Sequence, residues 1–234
     1  MRKRIIWTLV LLVLVLVSLS PQIVYQNSGV SKSLGKVHKG SLQNAYRLEW
    51  KQGNTVFFSK FSYYILCRAY VNSNVYHTIY EAHNALEKLY PKRKFIVMEC
   101  SHKKGGRMYP HRTHQNGLSV DFFTPLTKKN KPKNFKVLGY SRYLLNFDNE
   151  GKRKNVEIDF DAMAEHILML EKHARKNNLR IKKVIFRTDL KDELYESKHG
   201  KELKKSGIYL AMNLTPQLNK LHDDHYHIDF EIID

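Results

Sequence analysis

The stretch His222-Asp223-Asp224-His225-Tyr226-His227-Ile228-Asp229-Phe230 holds the densest set of groups able to bind a metal or move a proton. Alternation of Tyr226, Ile228 and Phe230 predicts a strand with a buried apolar face, which turns His225, His227 and Asp229 to the opposite face. Successive side chains on that face stand roughly 6.6 Å apart along the backbone, so one imidazole can ligate a metal while its neighbour reaches a substrate atom beside it. His222, on the turn before the strand, is placed to close the same pocket from the side.

A second cluster reads His111-Arg112-Thr113-His114-Gln115-Asn116-Gly117-Leu118-Ser119-Val120-Asp121. His114 leaves a loop, Asp121 sits in the strand that the loop enters, and Gly117 permits a tight approach. A His and a carboxylate supplied in this way, joined by a His from the distant strand, make the three-ligand, open-position arrangement of a catalytic zinc site. The chain has no His-Glu-x-x-His, so the glutamate base of thermolysin-like enzymes is missing and a histidine is the best substitute.

The order H-x6-D followed by H-x-H resembles the LAS metallopeptidases, a class of lysostaphin-type enzymes, D-alanyl-D-alanine carboxypeptidases and hedgehog-like domains. Within it the chain is most similar to the penicillin-insensitive murein endopeptidases. The similarity is carried by Ser101, by Gly105-Gly106-Arg107-Met108, by the HxxH of His111 and His114, by the Gln-x-Gly-x-x-Val-Asp run ending at Asp121, and by the HxxHxH of His222, His225 and His227. It spans residues 99–229. It implies zinc held by His114, Asp121 and His227, with His225 beside the attacking water, and hydrolysis of peptide cross-links in peptidoglycan.

His111 and His222 are then expected to orient their neighbours or to contact substrate. Arg107 and Arg112, close to the ligand loop, offer guanidinium groups for a carboxylate of the wall peptide. The basic stretch 128–154 and the pair Asp223-Asp224 have no counterpart in the resemblance. Two other readings use the same residues. One is a zinc D,D- or L,D-carboxypeptidase that trims stem peptides, and the other is a non-catalytic, zinc-containing basic module. His225 beside a ligating His227 weighs against the second, because a structural zinc is more often closed by a fourth ligand.

The elements that must position these residues follow from periodicity. Ile79, Ala82, Leu86 and Leu89 predict a helix over 74–90, capped by Asn74 and stopped by Pro91, with His77 and His83 as surface or edge residues. Residues 94–98 and 118–123 read as strands on either side of the loop 101–117, and residues 124–156 as a basic flap or a locally folded insertion. Asp159 or Asp161 caps a helix with the stripe Met163, Ile167, Leu170 and Ala174, on which His166 and His173 are bystanders. A strand at 183–188, a polar helix or loop at 192–205 and the closing strand at 226–232 complete an α+β domain, with a mainly antiparallel sheet and flanking helices.

A chain of 234 residues is enough for one domain after an export segment. Met1-Arg2-Lys3-Arg4, an apolar run over 5–17 and then Ser18-Leu19-Ser20 read as that segment, so 1–25 is a signal peptide or an N-terminal membrane anchor. The product is expected in the periplasm, or tethered to the outer face of the inner membrane. Residues 26–40, rich in Ser, Gly and Lys, read as a linker, and 41–234 as the zinc peptidase domain. Cys67 and Cys100 are far apart and lack zinc-knuckle spacing; export would allow them to pair, and two buried free thiols fit equally well. The formal charge of +18 would suggest nucleic acid in a cytosolic protein. Export and the absence of a nucleic-acid motif turn the expectation to anionic wall or lipid partners, with no nucleic acid.

Overall fold

The computed structural model describes residues 4–8, 10, 25–134, 140 and 145–233. The fold is α+β. Its centre is a six-stranded sheet formed by β3 (Lys51–Gln52), β4 (Thr55–Phe57), β5 (Phe95–Val97), β6 (Ser119–Phe123), β9 (Leu179–Ile185) and β10 (His225–Ile232), in the order β9-β10-β6-β5-β4-β3. Every pairing is antiparallel except that of β4 with β5.

Two long helices cover one face. Helix α1 (Ser73–Leu89) starts one turn position earlier than its sequence suggests: the Asn72 side chain, not that of Asn74, caps it by accepting the Asn74 N–H. Helix α2 (Phe160–Lys176) is capped by Asp159, which accepts from Ala162 N, and its last turn carries His173, Arg175 and Lys176 against the helix dipole. The stripe Met163, Ile167, Leu170 and Ala174 is completely buried. Each of the three larger side chains contributes about 1.5–3 kcal/mol by leaving water.

The pleat sends Phe122 and Tyr226 to this helical side, where both meet the His166 ring of α2. His83 is therefore fully buried rather than at the surface or an edge, and His166 beside it is buried as well. His77 stays exposed, with its ring edge-on to Tyr46 and Tyr76.

The segment 26–40 is not a linker. It contains β1 (Lys32–Lys36), which pairs with β2 (Lys39–Gln43) in a hairpin that lies against the loop 101–117. Gln115 N donates to Val37 O, Leu42 N to Lys104 O, and Ser33 Oγ to Asn116 O. Its small residues serve close approach: a Cβ on Gly40 would meet Leu34 O at 2.4 Å and the Asn116 Cβ at 2.9 Å. The folded chain thus begins well before residue 41, and even Tyr25 is docked, its hydroxyl donating to Ala45 O.

Residues 124–156 are in part a folded insertion. Strands β7 (Leu126–Lys128) and β8 (Val156–Ile158) pair with each other, and two-residue strands at Lys131–Pro132 and Lys152–Arg153 extend them to a four-stranded sheet. The stretches 135–139 and 141–144, where a flap would reach out, lie outside the described residues.

Strand β9 begins at Leu179, directly after α2, and not at 183. Three short helices follow: α3 (Lys191–Glu196) and α4 (Lys198–Lys205) occupy the polar stretch, and α5 (Pro216–Leu221) leads into β10. Cys67 and Cys100 are not joined to each other in a disulfide. Most of the expected export segment lies outside the described residues; among those described, no helix is long and apolar enough to cross a membrane.

Candidate active site

The other face of the sheet carries the chemistry. Register sets Asp121 of β6 directly across from His227 of β10, and Ser119 across from Asp229. Directly opposed residues on one face stand close enough to touch: His227 Nδ1 lies 2.7 Å from Asp121 Oδ1, and His227 Nε2 lies 2.7 Å from Asp229 Oδ1. Asp229 is itself fixed by the Ser119 hydroxyl at 2.6 Å and by Lys183 Nζ at 3.0 Å.

The loop before β6 delivers His114 to the same point. Its backbone is in the left-handed region at φ 68°, unusual for a residue with a side chain. Two glycines let the loop hold that shape. Gly105 has φ +68° and a Cβ there would stand 2.2 Å from Gln115 O, while Gly117 has φ +77° and a Cβ there would stand 2.8 Å from Asn72 N. The His114 ring ends 4.8 Å, centre to centre, from the rings of both His111 and His227.

His114 is completely buried, and neither of its ring nitrogens has a hydrogen-bond partner. Its Nε2 lies 3.3 Å from Asp121 Oδ1, within ion-pair reach but outside hydrogen-bond geometry. Asp121 Oδ2 is likewise buried and unpartnered. An unsatisfied buried polar atom costs about 1–3 kcal/mol, and here three converge. Burial lowers the His114 pKa against the opposing pull of Asp121. Burial likewise works against charge on Asp121, but His114 and His227 hold its carboxyl well below the usual range.

His111 occupies the partly exposed mouth. Its Nε2 donates to Glu99 Oε2 at 2.6 Å, which leaves Nδ1 facing Asp121 Oδ2 at 3.7 Å. Glu99, almost completely buried, also accepts from Ser62 Oγ, Arg68 Nη1 and the Tyr140 hydroxyl. Burial opposes its charge, yet His111 together with Tyr140 and Arg68 brings its pKa down to about 2. A carboxylate can only accept, so Glu99 fixes the His111 proton on Nε2. The donor atoms of His111, His114 and Asp121 all lie within 4.8 Å of one another and could hold a metal ion; His227 adjoins this group through its Nδ1, 2.7 Å from Asp121 Oδ1.

His225 stands on the same face as His227, one pleat away, and its Nδ1 donates to Asp224 Oδ1 at 2.6 Å. Burial opposes charge on His225, but Asp224 raises its pKa above the ordinary value. Asp224 is held in turn through its carbonyl by Thr124 N and Oγ1. His222 caps α5, donating from Nδ1 to Leu218 O, and its ring lies 4.9 Å from that of His225. Burial, and next the His225 ring, lower its pKa to about 3.

The structure therefore brings six histidine and aspartate positions of the two motifs together: 111, 114, 121, 222, 225 and 227. Arg107 and Arg112 are exposed on the loop, and among the described residues neither forms an ion pair. Glu99, Asp224 and Asp229, the carboxylates that orient three of the histidines, had not been given those roles from sequence. The signal for Glu99 was a charge between Met98 and Cys100, at the end of an otherwise apolar strand.

Residues 33–232 match the family model described as penicillin-insensitive murein endopeptidase. The chain belongs to that family. None of the curated proteins matches it. The match to the murein endopeptidase family begins inside β1, so the hairpin is part of the family's domain and not a connector.

The residues of this family member fit a bound cation. Two carboxylates, Asp121 and Asp229, flank the His227 ring at hydrogen-bond distance on both nitrogens. With Asp229 taking the Nε2 proton, the short contact between Nδ1 and Asp121 requires a proton or a metal between two electron pairs. The unpartnered atoms of His114 and Asp121 beside it are of the kind that could hold a metal.

Proposed function

We propose that this chain is an exported, zinc-dependent murein endopeptidase that hydrolyses peptide cross-links of peptidoglycan. The observation that carries this reading is the convergence of His114, whose buried ring nitrogens have no partner, with Asp121 and His227 in a protein of the murein endopeptidase family. In this reading His114, Asp121 and His227 Nδ1 hold the zinc, with Asp229 orienting His227. Zinc bound there supplies Lewis acidity for the scissile carbonyl and brings the pKa of water toward neutrality.

The remaining work falls to the chain's own side chains. Asp224 fixes the His225 proton on Nδ1, so His225 exchanges a proton at Nε2, accepting it from the attacking water and returning it to the leaving amine. His111 presents its Nδ1 lone pair at the mouth, where it accepts a hydrogen bond from that water. His222 supports the His225 ring from the side. Arg107 and Arg112, exposed at the rim, bind carboxylates of the wall peptide. Residues 1–25 direct export into the periplasm.

The experiment is cleavage of purified cross-linked muropeptide dimers with and without chelator, with zinc restored afterwards. Conversion of dimers to monomers that stops with chelator and returns with zinc is the expected result. Shortening of stems with dimers left intact would replace the endopeptidase by a carboxypeptidase, and cleavage indifferent to chelator would remove zinc from the reading.

A further inference from the structure

Away from the catalytic face, a cleft of about 880 Å³ is lined by Tyr25, Arg47, Glu49, Trp50, Tyr63 and Tyr64 among others. That size suits a small organic ligand. Arg47, on a short strand paired with Tyr70–Val71, is only 7 % exposed, and its Nε and Nη2 are buried without any hydrogen-bond partner. One face of the guanidinium rests on the Tyr63 ring, 4.1 Å from its centre, and Tyr64 follows at 5.6 Å. That contact offsets part of the charge, but it gives the in-plane N–H groups nothing to bond.

The rest of the cleft is built to match. Trp50 lies 6.4 Å from Tyr64 at an interplanar angle of 30°, so the two half-buried rings form one tilted platform. Asn27 exchanges two hydrogen bonds with the Arg47 backbone, which pins the start of the domain as one wall. Glu49, the single carboxylate of the lining, is exposed at the rim and can accept hydroxyl groups. Flat aromatic rings bind the apolar faces of ligand rings, and a guanidinium with unmet donors binds a planar oxyanion in two-pronged fashion.

We infer that this cleft is a second ligand site, which takes an acidic saccharide of the wall: a pyranose ring on Trp50 and Tyr64, with a carboxylate on Arg47. The choice of a wall saccharide rests on the proposed function; the need for an oxyanion rests on Arg47 alone. The cleft shares a turn with the catalytic face. In the turn Phe61–Ile65, Tyr63 and Tyr64 line the cleft, while Ser62 donates to Glu99, the carboxylate that orients His111. A glycan strand held here lies one turn away from the histidine cluster.

The test is calorimetric titration of the full-length, metal-loaded protein with three probes that contain no cross-link. These are the disaccharide N-acetylglucosaminyl-N-acetylmuramic acid, with a free lactyl carboxylate; a monomeric muropeptide, whose carboxylates lie on the stem; and chitobiose, which has none. At least one acidic probe binds, and chitobiose binds about tenfold or more weakly. Tighter binding of the disaccharide assigns the lactyl carboxylate to Arg47, and tighter binding of the muropeptide assigns a stem carboxylate. Arg47→Lys keeps the charge but loses the fork, and abolishes the preference for acid. Trp50→Leu, a change outside the guanidinium contact, weakens all three. Equal binding of chitobiose, absence of binding by every probe, or binding unchanged in both variants overturns the inference. No probe can be cleaved at a cross-link, so the titrations are read whether or not the protein cuts dimers.

Discussion

The two faces of the central sheet each bury histidines, and they differ in what those histidines touch. On the helical face, Thr55 Oγ1 meets His83 Nδ1 at 2.8 Å, His83 Nε2 meets His166 Nε2 at 2.7 Å, and His166 Nδ1 meets the Tyr226 hydroxyl. Every ring nitrogen is paired, and every partner is a neutral group. On the opposite face, carboxylates hold His111, His225 and His227, while the His114 nitrogens are unpartnered. A closed, neutral chain of hydrogen bonds serves the core; an acidic cluster with unpartnered atoms could hold a cation. Both faces bury histidines, so burial of a histidine does not by itself identify the site.

Substitutions should separate the faces most sharply at the ligands. His114→Ala or Asp121→Asn is expected to abolish bound zinc and reduce cleavage of muropeptide dimers on the order of 10³-fold or more, as measured by metal analysis and product chromatography. His225→Ala should lower kcat by roughly 10²–10⁴-fold while the zinc content stays intact, which would distinguish a proton-transfer group from a ligand. Loss of zinc in that variant would instead place His225 among the ligands. The orienting carboxylates come next: Asp229→Asn should weaken zinc binding about 10–100-fold in competition with a chromophoric chelator.

On the helical face the expected signature is reversed. His166→Leu leaves the Tyr226 hydroxyl and His83 Nε2 without their partner, and should cost about 1–3 kcal/mol in denaturant unfolding at unchanged zinc content. A further effect is one of pH. Burial lowers the His83 pKa from 6.5 to about 3 and that of His166 well below its ordinary value. The unfolded chain therefore takes up protons below about pH 6.5 that the native pair refuses, so this contribution to stability is intact above pH 6.5 and is lost progressively as pH falls toward 3. Replacing both histidines by leucine should flatten that part of the acid limb, as read from unfolding midpoints across the range. An unaltered slope would mean that the pair titrates in the native state.

The sequence made the reactive histidines legible and concealed their supports. Alternation in β10 predicted correctly that His225, His227 and Asp229 share one face, because pleating leaves no other choice. It could not reveal that Asp121 stands across from His227, since register depends on the whole sheet. The hairpin at 32–43 was misread for a physical reason: its Ser and Gly residues have the composition of a linker, yet Gly40 is required by contact with Asn116 on the ligand loop. Likewise His83 reads as a surface or edge residue, because a histidine on an amphipathic helix is usually exposed, and His166 reads only as a bystander to the metal. Each is buried because the other supplies its partner from a separate helix.

The two faces are expected to differ in metal binding, and zinc stoichiometry tests this most directly. Zinc per chain is to be measured after equilibrium dialysis for the unaltered protein, for His114→Ala and for His166→Leu. On the proposed function, one zinc is expected in the unaltered protein and in His166→Leu, and none in His114→Ala. Retention of zinc by His114→Ala, or its loss only in His166→Leu, would contradict the assignment of the acidic face as the metal centre.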